Sequence, residues 1–248
     1  MERRPKKERL DVLVVERGLA DSRAKAQGLI LAGQVVVDDQ RVDKPGHQVP
    51  VDAPIRLKGE VLPYVSRGGL KLKGALDQFG LKVKGAVCAD IGASTGGFTD
   101  CLLQEGAVRV HAIDVGHAQL HEKLRADPRV ISREGVNARY LTDAELPEPV
   151  DVVVIDVSFI SLRQVLPSVL PKLKPGGLLV ALVKPQFEVG KENVGKGGVV
   201  KDPVARQEAI DGIRAFTEAA GLMTLGVVDS SIAGPAGNVE ALLAARKP

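Results

Sequence analysis

Four charged residues are unusually polar for the positions that they occupy, and together they could carry out proton-transfer chemistry. Asp156 and Lys184 each follow a Val- and Leu-rich run that is predicted to form a strand. Glu240 lies in the last such run of the chain, and Lys71 lies near the start of a predicted helix. A single residue of this kind is often only the point at which a strand reaches the surface. Two amines and two carboxylates in one site could bind a polar substrate and move a proton, so the four form a candidate catalytic set.

The most distinctive stretch is the glycine-rich segment 90–99, which follows a predicted strand and begins a predicted helix. Asp114 ends the next predicted strand, where a carboxylate can accept hydrogen bonds from both hydroxyls of a ribose. An NAD-binding turn would have glycine where Ser94 stands, and a pyrophosphate would have to pass that side chain. The turn instead resembles the first motif of S-adenosyl-L-methionine (SAM) methyltransferases, whose cofactor has no phosphate. This resemblance favours SAM as cofactor, with NAD as the alternative. The candidate cofactor-binding residues here are Asp90, Gly92, Ala93, Ser94, Thr95, Gly96, Gly97, Phe98 and Asp114.

The elements that must position these residues alternate between strands and helices from residue 85 onward. Runs of Val, Ile and Leu between helices are typical of parallel strands that are covered on both faces. We therefore predict an α/β fold with helices on both faces of the sheet, whose ligands bind beyond the carboxyl ends of the strands. The resemblance of the glycine-rich turn implies that this is a Rossmann-like SAM-dependent methyltransferase sheet. The predicted strands are Val87–Ile91, Val108–Ile113, Val130–Ser132, Val152–Asp156, Leu178–Val183, Leu225–Asp229 and Val239–Ala244. The predicted helices are Phe98–Gln104, Gln119–Arg125, Leu162–Leu173 and Pro203–Ala220.

A small α+β unit is predicted before this sheet. Residues 10–18 suit a short helix that a glycine stops, and residues 21–33 suit a second helix with an Asp-Ser start and a glycine end. Residues 34–42 alternate into a small hairpin. The predicted organisation is a unit of residues 1–60, a basic linker with a leading helix over 61–84, and the sheet domain over 85–248.

The net charge of +3 is unevenly distributed along the chain. The net charges of residues 1–60, 61–84 and 85–248 are +2, +4 and −3. A basic front third fits a polyanion bound from the amino-terminal side, and two solvated faces are the alternative. With no Trp, 2 Tyr and 5 Phe, binding by many aromatic platforms is not supported.

Membrane and secreted classes are disfavoured by the same sequence. The longest stretch without Asp, Glu, Lys or Arg, residues 26–37, is shorter than the ~20 residues that a membrane-spanning helix needs. No apolar run follows the charged start, so we expect no secretory signal and a cytoplasmic protein. The two cysteines, Cys88 and Cys101, suit small core residues. His117 and His121 lack the further ligands of a metal site, so no metal is expected.

The amino-terminal unit resembles the RNA-binding module of ribosomal protein S-four. The resemblance rests on Arg9-Leu10-Asp11, Gly18, Ser22-Arg23, Ala26, Ile30, Gly33, Val35, Val37 and Lys44-Pro45. In that module the face with the Ser-Arg pair lies against RNA, and guanidinium and ammonium groups there suit phosphate contacts. The alternative for Arg23 and Lys25 is a solvated helix face.

Nearly the whole chain resembles the TlyA family, bacterial proteins called haemolysin-like that act as ribosomal RNA 2′-O-methyltransferases. The matching segments are 10–45, 64–72, 90–99, 114–120, 137–141, 154–162, 182–202 and 238–243. The most specific are Asp156-Val157-Ser158-Phe159-Ile160-Ser161-Leu162, Lys184-Pro185-Gln186-Phe187-Glu188 and Gly195-Lys196-Gly197-Gly198-Val199-Val200. The resemblance implies an RNA-binding module joined to an FtsJ-like methyltransferase domain, with ribosomal RNA or ribosomal subunits as partner and no membrane.

The resemblance also implies roles for individual residues. A Lys-Asp-Lys-Glu tetrad falls on Lys71, Asp156, Lys184 and Glu240, and Asn137 and Asp156 join the cofactor-binding residues. We expect Lys184 to take the proton of a ribose 2′-hydroxyl, of a cytidine by the resemblance, while Lys71 positions that hydroxyl. The residues expected to contact RNA are Arg9, Ser22, Arg23, Lys25, Lys44, Arg67, Lys191 and Lys196.

Residues 186–202 contain four Gly and three Lys and show no helical or strand periodicity. A loop of this length is usually functional or disordered. Beside the site it would close over the RNA with its lysines on phosphates, and a mobile surface loop is the alternative.

Three other functions stay open at this point. A non-enzymatic RNA-binding or ribosome-assembly factor would need only the front module. A SAM enzyme acting on a base is disfavoured because Asp156-Val157-Ser158-Phe159 stands where base methylases commonly have Asn/Asp-Pro-Pro and an aromatic residue. A membrane-acting haemolysin has no visible membrane segment.

Overall fold

The computed structural model describes residues 7–38, 40–58, 63–234 and 236–248. The chain separates into two compact units, residues 1–61 and residues 62–248. Of the two turn residues predicted at Asp38–Asp39, Asp39 lies outside the described residues.

The smaller unit packs two helices, α1 (Leu10–Glu16) and α2 (Arg23–Leu31), on short strands. Strands β2 (Val35–Val37), β3 (Gln40–Arg41) and β5 (Ile55–Leu57) form one antiparallel sheet, and β1 (Lys7–Arg9) pairs with β4 (Gln48–Pro50). The sequence predicted only a hairpin between residues 34 and 42, so three strands were missed. The missed strands β1, β4 and β5 are each three residues long. Strand β4 ends in Pro50 and β5 follows Pro54, so no alternation of apolar and polar residues can be detected.

Sequence signals for the helix ends of this unit are confirmed. The Ser22 hydroxyl accepts a hydrogen bond from the Lys25 amide and caps α2. Gly18 and Gly33 follow the two helices with φ of +70° and +66°, a conformation that glycine adopts without strain.

The larger unit is built on one seven-stranded sheet, in the order β11-β12-β10-β9-β6-β7-β8. The strands are β6 (Val87–Ile91), β7 (Arg109–Ile113), β8 (Val130–Arg133), β9 (Val150–Ile155), β10 (Leu173–Val183), β11 (Met223–Asp229) and β12 (Ala241–Arg246). Strands β6 to β10 are parallel, and β12 is antiparallel to both of its neighbours. The predicted α/β class is confirmed.

Helices cover both faces of this sheet. They are α3 (Gly68–Gln78), α4 (Gly97–Gln104), α5 (Glu122–Arg125), α6 (Leu162–Val169), α7 (Pro185–Glu188) and α8 (Pro203–Ala219), with 3₁₀ turns at Ala138–Tyr140, Leu170–Lys172 and Lys191–Asn193. Alternate residues of β9 supply the two core layers. Val152 and Val154 lie in the layer with α3 and α4, whereas Val153 and Ile155 lie in the layer with α6 and α8. Because both faces are covered, the central stretches 152–155 of β9 and 178–183 of β10 are continuously apolar.

Several predicted elements differ from the structure. The helix predicted over Leu162–Leu173 ends at Val169, because the chain continues through the 3₁₀ turn Leu170–Lys172 into β10, which begins at Leu173. Glu240 precedes β12 instead of lying within it. The helix predicted over Gln119–Arg125 keeps only its last turn, α5. The segment 186–202, predicted to be irregular, begins within a single helical turn, α7.

Among the described residues, none of the helices has both the length and the apolar character that spanning a membrane requires.

Candidate active site

The four charged residues predicted as a catalytic set lie around one cavity of about 590 Å³. They form two ion pairs. The Lys71 Nζ lies 2.5 Å from Glu240 Oε2, and the Lys184 Nζ lies 2.6 Å from Asp156 Oδ1. Lys184 also donates to the Ser158 hydroxyl at 2.8 Å. The structure thus brings all four into a single site.

The direction of β12 explains how Glu240 reaches this site. Since β12 runs antiparallel to β10, its first residue Ala241 pairs with Val183, the last residue of β10. Glu240 and Lys184 are the next residues outward at the same edge of the sheet. Glu240 is 1% exposed, and its Oε1 has no hydrogen-bond partner among the described residues. A buried carboxylate of this kind is stabilised by the Lys71 cation.

Lys71 reaches the cavity because helices α3 and α4 approach each other unusually closely. A Cβ at Gly97, the first residue of α4, would collide with the Ser66 hydroxyl and stand 2.9 Å from the Gly69 amide nitrogen. Glycine at this point lets α3 lie directly against α4. Lys71, one turn into α3, is consequently 7% exposed with its amine on the cavity wall.

The glycine-rich segment forms a turn between β6 and α4, as its sequence predicted. Gly92 has a φ of +87°, and a Cβ there would collide with the backbone oxygen of Asp156. Ser94 at +46° and Gly96 at +97° also take up the left-handed conformation. Gly92 therefore allows the ends of β6 and β9 to meet at the base of the site.

A second cavity of about 510 Å³ adjoins the first and shares Gly92, Ser94, Asp156, Ser158 and Phe159 with it. Asp114 and Asn137 line this cavity with the apolar residues Ile113, Val115 and Val157. The Asp114 carboxylate accepts hydrogen bonds from the Ser94 and Gly116 amides, which fix it beside the turn. Asn137 caps the 3₁₀ turn that follows it by accepting from the Arg139 amide. A carboxylate next to an apolar slot suits a nucleoside.

The predicted cofactor-binding residues divide by position. Those that line the cavities are Gly92, Ala93, Ser94, Thr95, Gly97, Phe98, Asp114, Asn137 and Asp156. Asp90 and Gly96 do not line either cavity. Asp90 is completely buried beneath the turn, where it accepts a hydrogen bond from the Thr99 hydroxyl, and burial raises its pKa to about 7. Gly96 packs against Leu124.

Three residues near the cavity have contacts that sequence analysis did not assign. Asn238 is buried and bonds to the backbone of residues 198 and 200. Glu188 accepts from the Ser161 hydroxyl and the Leu162 amide, and burial raises its pKa. Phe159, at a φ of +64°, is 91% exposed at the rim, with its ring centroid 5.2 Å from that of Phe187. All three residues belong to segments that the sequence analysis singled out, but the sequence alone does not show which groups they contact.

The residues predicted to contact RNA in the smaller unit include two arginines on one carboxylate. Arg9 bonds to both oxygens of Asp11, at 3.0 and 3.1 Å, and Arg23 bonds to one of them at 2.9 Å. Gln27 completes the set at 2.8 Å. Asp11 is fully buried, and the Arg9 guanidinium holds the pKa of that carboxyl well below its usual range. Both arginines keep part of their surface open to solvent.

The remaining predicted RNA contacts are spread over both units. Lys25 pairs with Asp21, and Lys44 is exposed. In the larger unit Lys191 and Lys196 are exposed, and Arg67 lines the cavity that holds the ion pairs.

Cys88 and Cys101 are buried free thiols whose pKa values burial raises to about 12, so they serve as core residues.

Comparison with protein families gives two matches. Residues 64–247 match the FtsJ-like methyltransferase family, and residues 8–55 match the S4 domain. The fold, the two joined cavities and this match define a SAM-dependent methyltransferase.

Individual relatives narrow the assignment. A Bacillus subtilis protein provisionally named rRNA methyltransferase YqxC is 51% identical over 96% of this chain and 85% of its own length. The 16S/23S rRNA (cytidine-2′-O)-methyltransferase TlyA of Mycobacterium tuberculosis is 46% identical over 95% of this chain and 88% of its own. A solved structure of a provisionally named hemolysin from Streptococcus thermophilus has a TM-score of 0.76 and 45% identity, and covers 98% of this chain and 89% of its own. The chain belongs to the TlyA family.

Proposed function

We propose that this protein transfers the methyl group of SAM to a ribose 2′-hydroxyl of ribosomal RNA, on a cytidine, within a ribosomal subunit. The observation that carries the proposal is the presence of two Lys–carboxylate ion pairs, one of them buried, in one cavity beside the glycine-rich turn. The names of the relatives support rRNA and cytidine as substrate. The cytoplasm follows as the site of action, because that is where such a substrate occurs.

The two cavities suit the two ends of SAM. Asp114 would bind the ribose hydroxyls and the slot near Asn137 would take the adenine. The methionine part would pass Gly92 and Asp156, which line both cavities, into the cavity with the lysines. When bound, SAM supplies an electrophilic methyl on a sulfonium centre.

Lys184 is the proposed general base. The bound cofactor, held by Gly92, Asp114 and Asp156, would supply the methyl group to the 2′-oxygen and would keep the electron pair of its carbon–sulfur bond. The hydroxyl proton passes to the Lys184 amine, which must be neutral at that moment. Asp156 and Ser158 fix the direction of the amine, and Lys71, held by Glu240, donates to the hydroxyl oxygen and positions it. Holding the reactants in line supplies much of the rate.

Two basic regions are proposed to hold the RNA. The region in the smaller unit consists of Arg9 and Arg23, which both bond to Asp11, together with Ser22, Lys25 and Lys44. The region in the larger unit consists of Arg67, which lines the cavity, and the exposed Lys191 and Lys196. Contacts of this type bind phosphates and give affinity more than sequence choice.

Replacing Lys191, Lys196 and Lys201 with alanine should lower RNA affinity and its salt dependence if the loop contacts the strand.

The experiment that tests the function is transfer of labelled methyl groups from SAM to purified ribosomal subunits and intact ribosomes, followed by mapping of ribose methylation. Lys184→Ala should abolish transfer, a loss of at least about 100-fold, while SAM affinity stays within a few-fold. Lys82→Ala, at an exposed lysine, is the matched control and should transfer normally.

The other outcomes have distinct meanings. No transfer to any particle despite SAM binding would point to a different acceptor. Neither transfer nor SAM binding would leave an RNA-binding factor. Loss of SAM binding in Lys184→Ala would mean that this lysine holds the cofactor site together instead of acting as base.

A further inference from the structure

The segment of residues 189–202, called here the glycine loop, forms part of the wall of the cavity that holds the two ion pairs. Val194, Gly197 and Gly198 of this loop line the cavity, whereas its three lysines are exposed. Gly195 and Val199 close a tight turn through one backbone hydrogen bond of 2.9 Å. Because the loop forms part of the cavity wall, whatever holds the loop in place affects access to the cavity.

Asn238 holds the far end of the glycine loop. Its Oδ1 accepts from the Val200 amide at 2.9 Å, and its Nδ2 donates to the Gly198 oxygen at 2.8 Å. The side chain is 1% exposed and lies two residues before Glu240. The side-chain amide therefore bonds to two backbone groups of the loop, one as acceptor and one as donor, in the way that a backbone peptide group does. The asparagine amide supplies both a donor and an acceptor here. An ionised Asp has no donor and Ala has neither group, so neither can replace it.

Glu188 holds the near end of the loop. Its carboxylate accepts from the Ser161 hydroxyl at 2.5 Å and from the Leu162 amide at 2.8 Å, at the start of α6. These are bonds to a carboxylate at a helix amino terminus, which are stronger than bonds between neutral groups. The Asn238 bonds join neutral groups and are the weaker of the two attachments.

We propose that Asn238 is a positioning residue that fastens the glycine loop across the acceptor cavity, and that the loop opens at this end while Glu188 acts as the fixed end. The proposal rests on the proposed function for the identity of the acceptor. In the closed position the loop completes the cavity wall beside Lys184 and Glu240. In the open position it admits the RNA strand and releases the product.

Limited trypsin digestion of the full-length protein tests the attachment directly, because trypsin cleaves after lysine and the loop has Lys191, Lys196 and Lys201. Asn238→Ala should speed cleavage after Lys196 and Lys201 by about tenfold, since two buried hydrogen bonds are lost, with a much smaller change after Lys191. Asn193→Ala, at an exposed asparagine of the same loop, is the matched control and should digest like the unmodified protein.

Kinetics separate positioning from general damage to the fold. Asn238→Ala should lower kcat/KM for the ribosomal particle by about tenfold, while SAM affinity stays near that of the unmodified protein and the melting temperature falls by only a few degrees. Asn238→Asp, which keeps the size of the side chain but faces the Gly198 oxygen with a carboxylate, should behave like Asn238→Ala. Glu188→Ala should instead speed cleavage after Lys191, and Glu188→Gln should restore the normal pattern.

Several results would overturn the proposal. They are an unchanged digestion pattern in both Asn238 variants, faster cleavage spread evenly over the chain, and a full rescue by Asn238→Asp. Digestion requires no methyl transfer, so it tests the attachment even if the acceptor proves not to be ribosomal RNA. In that case the proposed function would fail in the transfer assay while the loop result stands.

Discussion

At the scale of single residues, the site consists of two Lys–carboxylate ion pairs, one almost fully buried and one partly exposed. Removing a lysine or a carboxylate from water is costly, and the opposite charge at hydrogen-bond distance offsets that cost. Lys71 and Glu240 are both almost fully buried, whereas Lys184 and Asp156 keep some contact with solvent. This difference suits a positioning pair and a pair that exchanges a proton with substrate.

The buried pair should reveal itself in stability measurements. Glu240→Ala leaves the Lys71 amine buried without a partner, so we expect a loss of about 3–5 kcal/mol in the free energy of unfolding. The double variant Lys71→Met/Glu240→Leu should recover most of that stability and none of the methyl transfer. Urea denaturation of both variants measures the effect, and a loss below about 1 kcal/mol for Glu240→Ala would contradict the assignment of a buried pair.

Asp90 gives a prediction in the pH dependence of stability. Burial raises its pKa to about 7, above the ordinary value of about 3.9, so the folded state holds the proton more tightly than the unfolded state. The stability that this proton contributes is present below about pH 4 and is lost as the pH rises to about 7. Asp90→Asn should remove this loss, so its stability relative to the unmodified protein should rise between pH 4 and 7 and then level off. Thermal unfolding without SAM measures it, and a pH-independent difference would show that Asp90 keeps an ordinary pKa.

At the scale of elements, close backbone contacts at glycines determine where the proposed catalytic side chains lie. Helix α3 lies against the start of α4 because Gly97 has no side chain, and this contact carries Lys71 to the cavity. Gly92 does the same for the ends of β6 and β9. The positions of the site residues therefore depend on the lack of a side chain at Gly92 and Gly97.

The contact between α3 and α4 can be tested at two glycines. Gly97→Ala should destabilise the protein by about 1–3 kcal/mol and lower kcat, because the added methyl forces α3 and Lys71 outward. Gly74→Ala, within the same α3, places its methyl at an ordinary 3.6 Å from Ser231 and should be neutral or stabilising by up to about 1 kcal/mol. Unfolding and methyl-transfer assays of the two variants provide the measurement. Equal effects of both substitutions would show that the close approach is not what places Lys71.

At the scale of the whole molecule, the chain joins an S4 unit to an FtsJ-like unit, and each carries basic residues. The S4 unit contributes guanidinium groups that a buried carboxylate holds in place. Pre-positioned charges lose little freedom on binding, which favours affinity for a polyanion. The methyltransferase unit contributes the two cavities that we propose for the cofactor and the acceptor.

The contribution of the S4 unit should appear in the salt dependence of binding. Arg23→Gln removes one cation from this unit and keeps a hydrogen-bond donor for Asp11, so we expect several-fold weaker binding to ribosomal RNA and a salt slope smaller by about 0.7–0.9. SAM affinity should not change. Arg214→Gln on α8 is the control, and filter binding at several salt concentrations measures both. An unchanged slope in Arg23→Gln would place this arginine away from the RNA.

Much of this protein follows from sequence alone. The apolar runs determined the α/β class and located all seven strands of the sheet, and the glycine-rich segment with Asp114 indicated the nucleoside cofactor. Both signals are local, since strand and turn preferences depend on neighbouring residues. The short strands of the S4 unit escaped detection because three residues are too few to form a pattern.

Only the tertiary structure decided which charges meet. Lys71 and Glu240 are 169 positions apart, and their pairing depends on the reversed direction of β12 and on the close contact of α3 with α4. The two hydrogen bonds of Asn238 to the glycine loop likewise join distant segments. Contacts of this kind arise from packing the whole core, and no local preference of the chain encodes them.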